Sequence, residues 1–377
     1  MAVAIVAGAL ANKPFSGGEA WVRLSWALGL RRLGFDVWFI EQLGGDGAGE
    51  AVTYFEEVGR EFGLDRRAAL LDRAGQGLAG IDPARLADAA AEAEVLFNLS
   101  GHIPPGPLLA APRRRVYVDL DPGFTQAWDA DPSLPFRLGD HDFYATVGLN
   151  LSGRKGTDDG IDWIPTLPPI VLEEWPAAPP PEPLRRPRFT TVATWRSPHG
   201  SVVVGGREAP QKHHEFRRLL PLPAQVPEAQ FELALDIHPG DAADRRALLA
   251  AGWKLVSPRE AAGSPAAFRE YLRGSGAEFS VAQGVYVASR SGWFSDRTAA
   301  YLACGRPALV QDTGIEDVPT GEEGLLTFRS LEQAAAGADR ILADPAGHAA
   351  AARRLAEEHL DSDLVLGRLL ERIGVGA

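Results

Sequence analysis

Ser289-Arg-Ser-Gly-Trp-Phe-Ser-Asp-Arg-Thr-Ala-Ala-Tyr-Leu-Ala-Cys-Gly-Arg-Pro-Ala-Leu-Val-Gln-Asp-Thr-Gly314 is the stretch whose reading decides the fold. It spells a Ser/Gly loop, a helix over Ser295–Cys304, a glycine stop at Gly305, a strand over Pro307–Val310 and a polar turn at Thr313 and Gly314. Ser295 suits an N-cap, which leaves the amides of Asp296 and Arg297 and the helix dipole turned towards the loop. With Ser291 and Gly292 close by and Arg297 adding charge, such an end suits a diphosphate; the bland alternative is that Ser295 only closes an ordinary helix.

Upstream and downstream of that stretch the same alternation continues. Strands are expected at Phe189–Trp195, Phe231–Ile237, Trp253–Val256, Phe279–Ala282 and Gly324–Phe328. Helices are expected at Lys212–Leu220, Asp241–Ala250, Ala266–Gly274, Leu331–Leu342, Ala346–His359 and Leu364–Ile373. Strand and helix taking turns in this way read as a doubly wound α/β domain with a parallel sheet.

The first half repeats the architecture. Val3–Leu10 is an apolar run of the kind that fills a parallel sheet buried on both faces. Ser16-Gly-Gly18 breaks the chain before a helix over Ala20–Leu33, Gly34 stops it, and Val37–Ile40 is the next strand. Bare backbone at Gly17 and Gly18 lets amides approach a phosphate or sugar, although turns use Gly-Gly as well. Helices follow at Ala51–Phe62 and Pro83–Ala93. Two further strands, Val95–Leu99 and Val116–Leu120, run into His102 and Asp121. Between the halves, 173–187 holds six prolines in fifteen residues, a stiff linker. The expected domains are therefore 1–172, the linker 173–187, and 188–377, with the last helix returning to the first domain; Trp163 and Trp175 are expected at interdomain packing.

Composition narrows the function. The 377 residues carry 38 basic and 50 acidic side chains, a net charge of −12, which disfavours phosphate backbones and anionic lipid surfaces. Nucleic-acid and membrane partners are thus not expected. Only four basic residues are lysine, so arginine dominates, a GC-rich codon signature. One cysteine, Cys304, excludes an intramolecular disulfide or a Cys-built metal site and fits a reducing cytoplasm. The apolar start lacks a basic leader region and is cut short by Asn12-Lys-Pro14, so a buried strand is expected there rather than a signal peptide.

The segment Ala299–Gly314 resembles the donor-binding segment of the GT-B glycosyltransferases, and Lys13-Pro-Phe-Ser-Gly-Gly-Glu-Ala20 resembles the N-terminal glycine loop of the same superfamily. The flavour is that of bacterial natural-product enzymes. The resemblance implies two facing Rossmann-like doubly wound domains and transfer of a sugar from a nucleotide-sugar donor to a small-molecule acceptor, with no cofactor. On that pattern the donor is held by Gly17, Gly18, Arg196, Lys212, His238, Ser291, Gly292, Ser295, Asp296, Arg297, Thr313 and Gly314. Arg196 and Lys212 would neutralise the diphosphate as it leaves, or else be two solvated cations. His238 could equally fill a loop. Asp121, or in second place His102, would take the acceptor proton; a turn role before Pro122-Gly123 is the alternative for Asp121.

One departure matters. Retaining members carry Glu-x7-Glu before the Gly-x-Pro turn, and those positions here are Gly292 and Ala300, so an inverting displacement is expected. Asp119-Leu-Asp121 spells the Asp-x-Asp of metal-dependent GT-A enzymes. The pattern recurs at Asp129-Ala-Asp131 and Asp361-Ser-Asp363, so no metal is assigned. The competing readings are a nucleotide-sugar epimerase or hydrolase of the same shape and a two-lobed binding protein without chemistry.

Overall fold

The computed structural model describes residues 1–45, 49–131, 138–151, 160–177, 186–197, 200–204, 206–315, 318 and 323–376. The chain divides into two compact units, one of Met1–Val171 with Asp361–Ala377 and one of Leu172–Leu360.

The first unit is built on an eight-stranded sheet: β1 (Val3–Ala7), β2 (Asp36–Gln42), β3 (Ala68–Leu71), β4 (Gly77–Gly80), β5 (Ala93–Leu99), β6 (Arg115–Asp119), β7 (Phe143–Thr146) and β8 (Trp163–Pro165). Their order is β4-β3-β2-β1-β5-β6-β7-β8, parallel throughout except that β4 returns antiparallel on β3. Ala4, Ile5, Val6 and Ala7 are fully buried, as a strand covered on both faces requires. The winding runs outward from β1 through β2 and β3, then restarts on the other side at β5. Ligands of open α/β sheets bind at the carboxyl ends of the strands where that reversal falls, here β1 and β5.

The C-terminal helix Ser362–Arg372 belongs to this unit, so the second unit ends at Leu360 and not at Ala377. It lies against the helix Gly17–Arg32, where Arg32 grips Asp363 with two 2.9 Å hydrogen bonds. The close approach depends on Gly29: a Cβ there would sit 2.6 Å from Leu366 Cδ1 and 2.9 Å from Ser362 Cβ. Gly29→Ala is expected to destabilise the first unit by about 1–3 kcal/mol, the usual range for overpacking. Urea denaturation with hydrogen exchange at β1 and β5 amides reads that loss; no change would show the two helices can part freely.

The second unit carries β9 (Arg188–Thr194), a small antiparallel hairpin β10 (Val203–Val204) and β11 (Arg207–Glu208), then β12 (Gln230–Asp236), β13 (Lys254–Val256), β14 (Ala277–Ser280), β15 (Ala308–Gln311) and β16 (Leu325–Phe328). Its six-stranded sheet runs β13-β12-β9-β14-β15-β16, all parallel, the dinucleotide-fold order with its reversal between β9 and β14. Phe189, Phe231, Phe279, Trp253 and Phe328 interlock on one face of it.

Two expectations about the boundary need correction. Residues 173–177, the front of the expected linker, belong to the second unit: Arg353 donates to the Trp175 carbonyl at 2.7 Å and Arg269 to that of Glu174 at 3.1 Å. Residues 178–185 lie outside the described residues. Trp163 packs against Tyr117 and Tyr144 inside the first unit, and Trp175 edge-on to Phe268 inside the second. Each tryptophan therefore serves the core of its own unit.

Candidate active site

In the second unit, the chain beyond β14 and β15 forms a pocket lined by Ser280, Ala282, Trp293, Ser295, Thr298 and Gln311, among others. Gln311 closes its floor, accepting from the Ala282 amide at 3.1 Å and donating to Glu215 at 2.7 Å. Ser295 is the residue before the helix Asp296–Ala303, yet its side chain makes no capping bond, so the first-turn amides are not taken up by it. Gly292, at φ +72°, and Thr313 join the two loops through a 2.9 Å bond from the Gly292 amide to the Thr313 carbonyl. Thr313 in turn donates to the Trp293 carbonyl at 2.7 Å. Ser291 is fully buried beside them with no partner for its Oγ among the described residues. The structure thus brings Ser291, Gly292, Ser295, Asp296, Thr313 and Gly314 to one end of the sheet.

Lys212 opens the helix Lys212–Arg218, and its amide donates to Gln283 Oε1 at 3.2 Å, which ties it to the loop after β14. Arg196, at the end of β9, is committed elsewhere. Its Nε and Nη2 donate to the Asp241 carboxylate at 2.9 and 2.5 Å, and the guanidinium holds that carboxyl below its usual range. Burial, then His214 and Arg196, push His213 down to about 4, so it is neutral at pH 7.

Two expected donor contacts are placed differently. His238 is exposed after β12, and its Nδ1 accepts from the Gly240 amide at 3.0 Å, closing its own turn. Arg297 points back into the fold: Nε donates to Glu278 at 2.8 Å, Nη1 to the Val192 carbonyl at 2.9 Å, and Nη2 to Ser280. It acts as a strut between β9 and β14 because Glu278, fully buried in β14, requires a cation.

In the first unit, Gly17 and Gly18 open the helix Gly17–Arg32 directly after the β1 loop, with Lys13, Glu19 and Arg23 around them. Lys13 pairs with Glu19 at 3.1 Å, and Arg23 pairs with the same carboxylate. His102 lies past the end of β5, half-buried, and burial together with Arg23 and Lys13 pushes it down to about 3. Asp121 stands half-buried after β6. Its neighbour Asp119 is fully buried and collects four hydrogen bonds, from the Asp121 amide at 2.9 Å, Thr125 at 2.6 Å, Gln126 at 3.2 Å and Thr146 at 2.9 Å. Burial still raises Asp119 to about 6. With its oxygens consumed in this way, Asp119 pins the turn that presents Asp121.

Sequence reasoning missed Glu41, which closes β2 and whose carboxylate accepts from the amides of Leu10, Ala11 and Asn12 at 2.7–2.8 Å. It holds the loop after β1. The available signal was an acidic residue at the carboxyl end of an apolar strand. It also missed Arg23, whose signal is a charge in the buried Ala20, Ala27, Leu30 stripe of its helix. Asp312 was missed as well: its Oδ1 accepts from Gly314 at 2.7 Å, and Arg290 and Arg329 pair with Oδ2.

The Glycosyl transferase-like family model matches residues 219–365, which span the pocket just described. No curated protein sequence matches the chain. Among solved structures, sucrose-phosphate synthase from Thermosynechococcus elongatus aligns over 99% of this chain and 99% of its own, with a TM-score of 0.58 at 12% identity. Anabaena HepE in complex with UDP-glucose aligns over 98% and 99%, with a TM-score of 0.58 at 13% identity. An alpha-glucosyltransferase in complex with UDP and a 13-mer DNA aligns over 99% and 100%, with a TM-score of 0.62 at 10% identity. The fold is that of the GT-B glycosyltransferases, and the second unit carries its glycosyl transferase-like segment. Since that last neighbour is seen with DNA, the fold gives no ground for excluding nucleic acid; the net charge of −12 is the ground that remains. Among the described residues no helix is long and apolar enough to cross a membrane.

Proposed function

We propose that the protein transfers a sugar from a nucleoside-diphosphate sugar, UDP-glucose being the first to test, to a hydroxyl of a small-molecule acceptor. The observation that carries this reading is the group of residues around the small pocket at the ends of β14 and β15: helix Asp296–Ala303, whose uncapped start lines it through Ser295 and Thr298, and, next to these in the chain, the buried unpartnered Ser291 hydroxyl and the joined Gly292–Thr313 loops. Such a set offers hydrogen-bond donors to an anionic leaving group. The neighbours holding UDP and UDP-glucose support the choice of donor.

Roles follow by unit. Lys212 and the first amides of helix Asp296–Ala303 take the diphosphate; Arg196 is held by Asp241 and is given no donor role. Asp121 is the acceptor-side base. His102, made weakly basic by burial and two cations, donates or accepts a hydrogen bond as a neutral ring. With Gly292 and Ala300 at the positions of the glutamate pair, displacement with inversion is the favoured course. Metal is given no step, because Asp119 is consumed by its four hydrogen bonds; EDTA is expected to leave turnover unchanged.

Calorimetric titration with UDP, UDP-glucose and other nucleoside diphosphates tests the donor site. A nucleotide at about 100 times its Kd should stabilise the fold by roughly 2.7 kcal/mol. Lys212→Ala is expected to weaken that nucleotide about tenfold or more, the loss of one charge-assisted contact. Folded protein that ignores every nucleotide overturns the reading. Nucleotide-sugar cleavage that no acceptor accelerates would favour a hydrolase or epimerase instead.

A further inference from the structure

Asn98 is a polar residue in an apolar layer. It is fully buried on β5, on the same face of the strand as Leu96, which packs in one hydrophobic cluster with Ile103. A buried amide must have its hydrogen bonds answered, whereas a leucine there would need none. Asn98 spends its bonds on one backbone position. Its Oδ1 accepts from the Ile103 amide at 3.0 Å, and its Nδ2 donates to the Ile103 carbonyl at 2.9 Å. Nδ2 also meets His141 Nε2 at 3.1 Å. The tautomer of His141 follows: its Nδ1 stands 3.1 Å from the Leu138 carbonyl, which only accepts, so Nδ1 carries the proton and Nε2 the lone pair. Burial lowers the basicity of that ring, so it is neutral at pH 7. Between Asn98 and Ile103 the backbone is left-handed twice, at Ser100 with φ +54° and at Gly101 with φ +70°. Glycine adopts that conformation freely; serine does so at a cost. A Cβ on Gly101 would fall 3.1 Å from Tyr117 Cε2, and His141 packs edge-on to the same Tyr117 ring, centroids 5.3 Å apart. The residue enclosed between Gly101 and the doubly bonded Ile103 is His102, past the carboxyl end of β5.

We propose that Asn98 and His141 are positioning residues, which hold His102 in one place and orientation before an acceptor arrives. They act through the backbone of Ile103. Asn98 closes the turn by taking both the N–H and the C=O of that residue, and His141 fixes which way the Asn98 amide faces. Only asparagine serves at position 98 among its near isosteres: aspartate lacks both N–H donors, and leucine lacks donors and acceptor alike. A ring fixed in advance meets an acceptor hydroxyl without first being ordered. The gain lies in turnover, since an oriented group displaced by about an ångström can lose up to about a hundredfold in rate. This assignment rests on the transferase reading above, which puts His102 on the acceptor side.

The test uses the full chain with histidine labelled for NMR, so that His102 reports its own surroundings. His141→Phe keeps a ring against Tyr117 but removes the acceptor for Asn98 Nδ2; His141→Gln keeps an acceptor. Asn98→Asp preserves the shape and removes the donors. The His102 signals are expected to shift in His141→Phe and Asn98→Asp and to stay near their wild-type positions in His141→Gln. Those of His213 and His348, in the second unit, should hold still in all three. Transfer from UDP-glucose to 4-nitrophenol, a stand-in acceptor with one hydroxyl, should lose about tenfold or more in kcat in the first two variants. The KM for 4-nitrophenol should change less than about threefold, and His141→Gln should keep kcat within about threefold of wild type. A merely structural role would lower the unfolding midpoint and leave the His102 signals and the kcat of folded protein where they were. That result, or a His141→Gln variant as slow as His141→Phe, overturns the proposal. Should Asn98→Asp fail to fold, the two His141 variants decide. A wild type that leaves UDP-glucose intact counts against the transferase reading alone, and the His102 signals then decide the positioning.

Discussion

Glu278→Ala is expected to lower the stability of the second unit by about 3–5 kcal/mol, the cost of stranding a buried partner charge. Glu278 is fully buried at the centre of the sheet, and burial raises its carboxyl even with Arg297 beside it. Remove the carboxylate and Arg297 keeps its bonds to Val192 and Ser280, but its charge is left uncompensated at 15% exposure. Glu278→Met with Arg297→Met removes both charges together and should recover most of the loss, since well-packed apolar pairs replace buried ion pairs at little cost. Hydrogen exchange at β12 and β14 amides, read under urea, follows the second unit by itself. The double variant has a second use. If Arg297 served the diphosphate, UDP would bind it at least about tenfold more weakly; as a strut it should leave UDP nearly unchanged once the unit is refolded. An unstable double variant would show the guanidinium to be needed for its bonds to Val192 and Ser280, not merely to balance Glu278.

The contrast between Arg297 and Ser291 shows what a sequence can and cannot disclose about such a site. Both stand within one loop-and-helix segment, and the pattern of glycine, cap and periodic apolar residues placed that segment at the strand ends correctly. Periodicity and punctuation are local, so the long strands and helices were legible to within three residues. What the pattern lacked was the identity of non-local partners. Arg297 looked free because Glu278 is nineteen residues away in sequence and reads as a strand residue like any other. Arg196 looked free because Asp241 lies beyond another strand and loop. The same reason hid the short strands β3, β7 and β8: three or four residues amid Asp, Arg and Pro have no period of their own, and their neighbours in the sheet hold them in place. The resemblance to the GT-B enzymes supplied the architecture that local signals left open; for His238, which it assigned to the donor, the bond found is one within its own turn.

Asp119→Ala is expected to cost about 3 kcal/mol in the first unit, because it leaves the Asp121 amide, Thr125, Gln126 and Thr146 without their shared acceptor. The turn that carries Asp121 would then drift, so turnover should fall together with stability. Asp119→Asn separates the two effects. It retains one oxygen acceptor for the turn but cannot ionise. The wild-type carboxyl is raised to about 6 against an ordinary value of 3.8, so the folded state binds the extra proton between those limits. Stability from this group is therefore greatest below about pH 4, declines as pH rises through about 6, and is level above it. The difference in unfolding free energy between wild type and Asp119→Asn should fall across that window by up to about 3 kcal/mol, the free-energy equivalent of the shift. A difference that stays flat from pH 4 to 7 would mean that the four hydrogen bonds fully offset the burial of the charge. If Asp121 is the base, Asp119→Asn should lose less turnover than Asp121→Ala at pH 7; equal losses would transfer the catalytic role to Asp119 itself.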